Sequence, residues 1–329
     1  MHLTMRHDLR AAPFGAPHRE LYRAGVDQSV WAEKVGFDTV MTHEHHCEDG
    51  YVPSPLIFSA AVAGATKRVR IQVLVALLPL YDPIRFAEDW AVLDLISEGR
   101  ADVVVAVGYR QYEYDLFGID FETRGKRMDE AVEVLKKAWS GQPFEHRGRT
   151  VQVSPTPYRQ PRPPIYFGGN SKAAARRAAR EGDGFFPAPN STLMEYYRDE
   201  TRRQGKPPGA EPITRGEGSI VFVAEDPARA WEQVGPYCLY QHNAYAAFAD
   251  EWVTKSSEAQ ETRNFKPATT REELAALKTY VVVSPDECVR MAREHGGVTL
   301  QPLAGGLPPA LARESLDLFE RKVLPALGR

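Results

Sequence analysis

Short apolar runs alternate along the chain with segments whose apolar residues recur every three or four positions. The runs have the length of buried strands, and the segments between them have the periodicity of amphipathic helices. This alternation is typical of βα units that build a parallel sheet covered by helices. Eight such units can be followed, so the pattern predicts an α/β fold, a (β/α)₈ TIM barrel with inserted loops.

The first helix shows the pattern clearly, with an apolar face formed by Tyr22, Val26, Val30, Trp31 and Val35. Glycine, proline and aspartate mark the boundaries of the elements. In the first part of the chain, the predicted elements are a helix ending at Gly36, a strand over 37–41, a helix over 55–66, a strand over 69–77, a helix opened by Asp82 and Pro83 and closed by Gly99, and a strand over 101–107. The middle part contains a helix through Met128 and Trp139 that stops at Gly141, a hairpin over 144–153, a strand over 165–169, a helix over 171–181 and a strand at 185–186. The last part contains a helix near 191–204, a strand over 218–223, a helix over 226–237, a strand at 298–300 and a helix from about 308.

The alternation breaks between residues 240 and 278. This stretch is polar with scattered aromatic residues, namely Tyr240, Tyr245, Phe248 and Trp252. A long irregular segment inside a compact fold is usually functional. We therefore expect a lid-like insertion near 240–278 that helps to enclose a substrate.

Composition narrows the class of protein. A length of 329 residues suits a single barrel domain over 1–329, and a net charge of −3 gives no basic excess for binding nucleic acid. Three scattered cysteines, Cys47, Cys238 and Cys288, predict reduced thiols rather than a disulfide framework. Neither a signal peptide nor a membrane-length apolar stretch is evident, so we expect a soluble, cytoplasmic protein.

The octapeptide THEHHCED, residues 42–49, concentrates histidines and carboxylates after the second strand. In a barrel this is the active-site rim, where such groups can transfer protons. His43 and His45 also have the spacing of a metal-binding HxH motif, but His146, His242 and His295 do not fall at predicted strand ends. Proton transfer, a metal site and a solvated polar loop all remain open on these residues alone.

Two other segments have possible chemistry. Gly168, Gly169, Asn170 and Ser171 end a strand and open a helix, which makes either an anion site or an ordinary capped turn. Three arginines follow on that helix, namely Arg176, Arg177 and Arg180. The run 103–118 leaves the fourth strand at Gly108 and carries Tyr109, Tyr112 and Tyr114, which either wall a planar ligand or pack the loop against the barrel.

The joint order of four segments resembles the luciferase-like monooxygenase family. The segments are GFDTVMTHEHH, TKRVRIQVLVALLPLYDPIRFAED, LDLISEGRADVVVAVGYRQYEYDLFG and PPIYFGGNSKAAARRAAREGDGFF, and the similarity extends to VSPDECVRMAREHGGVTLQPLAGGLPP. The resemblance covers nearly the whole chain. It implies a (β/α)₈ barrel, usually a homodimer, that binds reduced FMN or, in one branch, a deazaflavin at the strand C-termini.

The resemblance also assigns residues. His45 matches the histidine linked to proton transfer around the flavin C4a-hydroperoxide, and His46 and Glu44 complete the catalytic triplet. A non-proline cis peptide at Leu74–Val75 would lie under the flavin. The remaining cofactor-binding residues implied are Ala106, Gly108 and Tyr109 near the ring and Gly168, Gly169, Asn170 and Ser171 around the phosphate. Tyr109 and Arg110 are expected to contact the substrate.

One position departs from the family pattern. Many FMN-binding members have an arginine before the glycine that leaves strand four, whereas this chain has Val107 before Gly108. Arg110 or an arginine of the 176–180 helix could substitute, flavin binding could be weak, or the cofactor could be a deazaflavin.

The expected function is oxygenation of a small organic substrate by reduced FMN and O₂ through a C4a-peroxyflavin, with a separate NAD(P)H-dependent flavin reductase. The alternatives are a deazaflavin-dependent dehydrogenase, a non-catalytic flavin-binding protein and, more distantly, a metal-dependent hydrolase.

Overall fold

The computed structural model describes residues 1–46, 48–187, 192–210, 219–253 and 266–329. Within these ranges, nine strands form one sheet in which all recorded strand pairs are parallel. The strands are β1 (His2–His7), β2 (Thr39–Thr42), β3 (Arg70–Ala76), β4 (Ala101–Val105), β7 (Tyr166–Gly168), β8 (Gly184–Phe186), β9 (Ile220–Val223), β10 (Tyr280–Val283) and β11 (Gly297–Leu300), and their order across the sheet is β10-β9-β11-β1-β2-β3-β4-β7-β8. A separate antiparallel hairpin comprises β5 (Phe144–His146) and β6 (Arg149–Val151), as predicted.

Helices connect most successive strands of the sheet. They are α1 (His18–Lys34), α2 (Pro55–Ala65), α3 (Pro83–Ser97), α4 (Gln111–Leu116), α5 (Arg124–Ala138), α6 (Lys172–Glu181), α7 (Leu193–Arg203), α8 (Pro227–Val253), α9 (Arg271–Ala276), α10 (Pro285–His295) and α11 (Pro309–Leu318), with a π-helical turn at Phe319–Val323. Parallel strands joined through helices confirm the predicted α/β class.

Local sequence signals fix several boundaries correctly. The Asp82 carboxylate accepts hydrogen bonds from the backbone N–H groups of Ile84 and Arg85 at 2.9 and 3.3 Å, and Pro83 is the first residue of α3. Gly36 has φ of +88°, the left-handed conformation expected after a helix. The expected apolar face of α1 is wrong at Val30, which is exposed.

The strand count differs from the prediction. Nine strands lie in the described part of the sheet, where eight βα units were expected. The prediction gave no range for β1 (His2–His7) or for Tyr280–Val283, which forms β10 beside β9. This strand directly follows the segment assigned to a lid, so the polarity before it masked its apolar pattern. The recorded pairing within the described ranges ends at β8 on one side and at β10 on the other.

The lid-like insertion near 240–278 is also corrected. Residues 240–253 continue helix α8, which passes through Pro236 without ending, and residues 271–276 form α9. Tyr245 and Phe248 are buried on α8, so tertiary packing of aromatic side chains stabilises a helix that sequence periodicity did not show. Residues 254–265 of the predicted segment lie outside the described residues.

The core occupies both faces of the strands, because Val103, Val104 and Val105 are all fully buried. Cys238 and Cys288 are free and buried, in agreement with the predicted reduced thiols, and Cys47 lies outside the described residues. The described helices include none with the length and apolar character required to cross a membrane.

Charged residues just before several strands tie the elements together at the strand N-termini. Asp38, before β2, accepts the Leu3 N–H at 2.8 Å, and Arg100, before β4, donates to the backbone oxygens of Ala63, Thr66 and Val69 at 3.0–3.1 Å.

Two arginines of the segment before β7 continue these contacts. Arg159 binds Asp94 at 2.7 Å and Asp102 at 3.0 Å, and Arg162 pairs with Asp183 at 2.6 Å. We call these contacts, together with those of Asp38 and Arg100, the N-terminal clamps. They lie at the opposite end of the strands from the residues predicted to carry chemistry.

Candidate active site

His45 follows β2 and makes a short, buried contact with Glu113 of α4. The His45 Nδ1 atom lies 2.8 Å from Glu113 Oε1, and the same oxygen accepts the backbone N–H of His46 at 3.0 Å. Because an ionised carboxylate can only accept, His45 Nδ1 carries the proton and Nε2 is left as the nitrogen that can exchange one. The sequence placed His45 at the rim but did not identify Glu113 as its partner.

The charge state of Glu113 follows from these contacts. Burial alone would raise the pKa of Glu113, but the hydrogen bond and charge of His45, the His46 N–H and the Arg110 guanidinium together lower it below its ordinary value. Glu113 is therefore an anion that accepts a hydrogen bond from His45 Nδ1–H and orients the imidazole ring.

Glu44 holds His46 in a similar way. Its Oε1 lies 2.8 Å from His46 Nε2 and accepts the Tyr81 hydroxyl at 2.8 Å, while its Oε2 accepts the Leu77 N–H at 2.7 Å. Three partners occupy this buried carboxylate, and two of them come from the segment after β3. Glu44 thus connects the loop after β2 to the loop after β3 and fixes the orientation of His46.

Aromatic rings surround the His45 imidazole. They belong to the loop after β2, the loop after β4 and helix α8. The ring-centroid distances from His45 are 4.9 Å for Tyr51, 5.8 Å for Tyr109, 6.5 Å for Tyr245 and 4.9 Å for Phe248. We call these four residues the aromatic enclosure, and an environment of this kind strengthens the hydrogen bonds of the histidine.

Hydroxyl groups of the aromatic enclosure form a second network below His45. Tyr245 donates to Asp8 at 3.0 Å, accepts from Arg6 at 3.0 Å and lies 2.9 Å from the Tyr51 hydroxyl. Burial and the Asp8 charge raise the pKa of Tyr245 to about 12, so it stays protonated. Burial, together with the charges of Arg6 and His45, holds the pKa of His43 well below its ordinary value, so His43 is neutral.

The β3 strand carries the predicted cis peptide, which lies between Leu74 and Val75. The pairing with β4 shifts register between Leu74 and Ala76, and Ala106 N–H then bonds Ala76 O at 2.9 Å. A Cβ atom on Gly168 would lie 2.7 Å from Val75 Cγ1 and 3.6 Å from the Ala106 Cβ. Three segments predicted to bind the cofactor therefore meet on one surface, and Gly168 is required there because no side chain fits.

Helix α6 begins at the predicted anion site. Ser171 is the N-cap residue, and its hydroxyl accepts the Ala174 N–H at 3.2 Å. Gly169 precedes it with φ of +138°, and a Cβ there would lie 2.8 Å from the Ala174 Cβ. Ser171 rather than Asn170 is therefore the cap, and glycine precedes this helix N-terminus.

The aromatic run after β4 divides into three environments. Tyr109 belongs to the aromatic enclosure, whereas Tyr114 is fully buried and donates to the Val107 carbonyl, so it packs the loop. Tyr112 is exposed. Gly108 has φ of +73°, which allows the sharp exit from the strand.

None of the arginines proposed to replace the missing phosphate ligand is directed to the N-terminus of α6 by the contacts that the structure records. Arg110 pairs with Glu48 at 2.8 Å, and Arg177 and Arg180 pair with Asp129 at 2.8 and 2.9 Å. The third arginine of that helix, Arg176, is exposed and donates to the Tyr196 hydroxyl at 3.0 Å. The cradle for an anion is therefore built mainly from backbone.

The described residues do not form a ligand set for a metal ion. No group of three or more His, Cys, Asp or Glu side chains is arranged there to hold an ion. His45 and His46 are instead directed to Glu113 and Glu44.

Comparison with known proteins identifies the family. The model of the luciferase-like monooxygenase family matches residues 7–296, so the chain belongs to this family. A solved structure agrees in fold: the oxygenating constituent of 3,6-diketocamphane monooxygenase from Pseudomonas putida, in complex with FMN, gives a TM-score of 0.72 at 21% identity, with 99% of this chain and 98% of that chain covered.

The relatives by sequence include proteins with two kinds of named activity. The oxygenase component of a flavin-dependent trigonelline monooxygenase from Acinetobacter baylyi is 30% identical over 172 residues, 50% of this chain and 48% of that protein. An F420-dependent glucose-6-phosphate dehydrogenase from Amycolatopsis mediterranei is 28% identical over 322 residues, 92% of this chain and 93% of that protein. The chain spans about half the length of the first curated relatives that it matches. The family to which the chain belongs thus includes relatives named as flavin-dependent monooxygenases and as F420-dependent dehydrogenases.

Proposed function

We propose that the protein is an FMN-dependent monooxygenase that uses reduced FMN and O₂ to oxygenate a small organic substrate. The observation that carries the proposal is the buried His45–Glu113 pair, held inside the aromatic enclosure. A histidine that is oriented by a carboxylate and leaves Nε2 free is suited to moving a proton at an atom in front of it.

The residues present fit a flavin mononucleotide. Gly169, Asn170 and Ser171 at the α6 N-terminus would hold the phosphate with backbone N–H groups and the helix dipole. The surface made by Leu74, Val75, Ala106 and Gly168 has no side chain at position 168 and would support the planar ring system. Gly108 and Tyr109, after β4, would border the same ring.

When bound, reduced FMN would supply the two electrons with which one oxygen atom of O₂ enters the substrate and the other leaves as water. His45 Nε2 accepts or donates the proton that accompanies this transfer, while Glu113 keeps the ring in place. Glu44 positions His46 beside it. Tyr109, Arg110 and helix α8 would enclose the substrate and exclude water.

Partners follow from the same proposal. A relative described as an oxygenase component supports a separate NAD(P)H-dependent reductase that delivers reduced FMN. A backbone-built phosphate site without an arginine would bind FMN weakly, which suits a cofactor that is exchanged between proteins. We also propose a cytoplasmic homodimer.

A deazaflavin-dependent dehydrogenase is the second candidate. It is favoured by Val107 and by the F420-dependent relative that aligns over 92% of the chain. The same histidine would then exchange a proton with the substrate hydroxyl group during hydride transfer.

Anaerobic titration separates the two candidates. The protein is titrated with reduced FMN and, separately, with reduced F420, and air is then admitted. The monooxygenase proposal predicts saturable binding of reduced FMN, followed by its reoxidation in air. Binding of F420 alone would replace the proposal with the dehydrogenase.

The role of His45 is tested with His45→Ala. We expect this variant to keep the fold and reduced-FMN binding but to lose product formation by roughly 10²-fold or more. The measurement is incorporation of one ¹⁸O atom from ¹⁸O₂ into candidate substrates. Incorporation at the wild-type rate would remove His45 from the mechanism.

A further inference from the structure

Arg10 is a fully buried cation whose side chain has no hydrogen-bond partner among the residues that the structure describes. It lies on the loop that follows β1, at the same end of the sheet as His45, and its exposed fraction is 0%. No acceptor among the described residues forms a hydrogen bond with its Nε or with either terminal nitrogen. A guanidinium carries five N–H donors, so this is an unusual concentration of unmet hydrogen-bonding capacity.

Aromatic rings pack against the faces of this guanidinium, but they do not accept hydrogen bonds from the N–H groups at its edge. Its central carbon lies 5.4 Å from the Tyr51 ring centroid, 5.3 Å from that of Tyr245 and 4.7 Å from that of Phe248. Aromatic faces attract a cation but accept no conventional hydrogen bond in the guanidinium plane. The in-plane donors therefore still require an acceptor.

Nearby carboxylates are engaged elsewhere. Asp8 accepts the Tyr245 hydroxyl at 3.0 Å and the backbone N–H of Arg10 itself at 3.3 Å, so it is not directed to the guanidinium. Glu48 pairs with Arg110, and Glu113 with His45. Arg110 is thus paired with a carboxylate, whereas none of the carboxylates that the structure describes pairs with the Arg10 guanidinium.

We propose that Arg10 binds the carboxylate of the organic substrate, so that the substrates of this enzyme are small carboxylic acids. A planar carboxylate accepts two parallel hydrogen bonds from the edge of a guanidinium, and rings on the guanidinium faces hold it for that geometry. Tyr51, Tyr245 and Phe248 contact both Arg10 and His45, so the carboxylate would be anchored beside the proton-transfer group.

This site is distinct from the cradle at the α6 N-terminus. Arg10 follows β1 and Ser171 follows β7, and three strands separate β1 from β7 in the sheet order. The inference rests on the proposed function in one respect, because it takes the anion to be the organic substrate rather than part of the cofactor.

The test uses two acid–amide pairs, acetate with acetamide and benzoate with benzamide, titrated calorimetrically into the full chain with and without FMN. We expect at least one acid to bind the wild-type protein about tenfold more tightly than its amide. Arg10→Met should abolish the preference, Arg10→Lys should keep part of it, and Arg23→Met, which removes an exposed arginine from α1, should leave it unchanged.

Two further readouts separate the explanations. If Arg10 serves to bind a ligand, Arg10→Met removes a buried cation that lacks a hydrogen-bond partner among the described residues, so its midpoint of urea unfolding should equal or exceed that of the wild type. If Arg10 instead stabilises the fold, the midpoint of Arg10→Met should be lower. If Arg10→Met does not fold, the inference is tested by the acid-over-amide preference of the wild type and by its partial retention in Arg10→Lys. Absence of an acid preference in the wild type, or its persistence in Arg10→Met, overturns the inference.

The cofactor titration is repeated on the same variants. Reduced-FMN affinity should be the same in Arg10→Met and in the wild type, and a selective loss of FMN affinity would assign Arg10 to the cofactor and overturn the inference. If the wild type binds acids through Arg10 but binds no reduced FMN, the proposed function fails while the carboxylate site stands.

Discussion

Glu113 joins two histidines through one oxygen atom. Oε1 contacts both the His45 ring and the His46 backbone N–H, while no hydrogen-bond partner for Oε2 occurs among the described residues. An anion at this position selects the His45 tautomer that carries its proton on Nδ1. Its removal should therefore affect proton transfer more than binding.

Glu113→Gln tests this at the scale of one residue. The amide retains the shape but not the charge, so we expect the rate of oxygenation to fall by roughly 10²-fold while reduced-FMN affinity changes little. The measurement is the rate of ¹⁸O incorporation, together with an anaerobic titration. Glu122→Gln, at an exposed glutamate, is the matched control and should behave as the wild type.

The sequence allowed some residues of the candidate site to be predicted and not others, for a physical reason. His45 and Ser171 lie next to element boundaries that local sequence marks, so they could be predicted. Glu113 and Arg10 acquire their significance from partners 41 or more residues away, on the loop after β2 and on α8. No local pattern encodes such contacts, although a glutamate and an arginine among aromatic residues was a usable signal at 109–114.

At the scale of elements, the site depends on the contact between β3 and β7. These strands are not neighbours in the sheet, and the Val75 side chain reaches Gly168 across β4. The surface predicted to support the flavin exists because position 168 has no side chain.

Gly168→Ala should disturb this surface. The new Cβ would meet Val75 Cγ1 at 2.7 Å, so we expect reduced-FMN affinity to fall by about tenfold or more and stability to fall by about 1–3 kcal/mol. The double variant Gly168→Ala/Val75→Ala should recover part of both losses because the clashing methyl group is gone. Gly64→Ala, in α2 with open space around its Cβ position, serves as the control. If Gly168→Ala lowers affinity and stability equally in the presence and absence of Val75→Ala, the proposed contact between position 168 and Val75 is wrong.

Ser171→Ala separates the structural and the ligand roles of the α6 cap. Loss of the cap should cost about 1 kcal/mol of stability, and it should weaken FMN more than riboflavin, which lacks the phosphate. Ser284→Ala removes an equivalent N-cap from α10, away from the predicted phosphate site, and should lower stability without changing the FMN-to-riboflavin ratio. The two affinities come from fluorescence quenching of the oxidised flavins. A ratio in Ser171→Ala equal to that of the wild type would place the phosphate elsewhere.

Element boundaries were predictable where a cap or a glycine sets them, as at Asp82 and Gly36. Helix α8 was not, because Gly235 and Pro236 indicate a stop and only the packing of Tyr245 and Phe248 reveals that the helix continues. The missed strand β10 is similar, since its identity depends on pairing with β9.

For the whole molecule, buried neutral histidines predict a loss of stability in acid. Burial lowers the pKa of His7 to about 3, against 6.5 for an unperturbed histidine. Between these values the unfolded chain binds a proton that the folded protein does not, so stability decreases as pH falls. The slope contributed by His7 is at most about 1.4 kcal/mol per pH unit.

His7→Gln should flatten this dependence between pH 6.5 and the acid limit. The measurement is the free energy of urea unfolding at pH 4.5–7.5, compared with the wild type. His18→Gln, at an exposed histidine, should retain the wild-type slope. If His7→Gln loses stability in acid as steeply as the wild type does, the folded state accepts the proton and the argument from burial is wrong.

The N-terminal clamps have a consequence for how this enzyme can change. Asp38, Arg100, Arg159 and Arg162 connect the elements at one end of the sheet, while the groups proposed to bind ligands lie at the other. Substitutions that alter ligand preference on α8 or after β1 therefore leave the clamps intact. Tyr51, Tyr245 and Phe248 are themselves buried, so variants that keep apolar side chains at these positions should fold most often. New specificities can then arise at this end of the sheet while the clamps at the other end are unchanged.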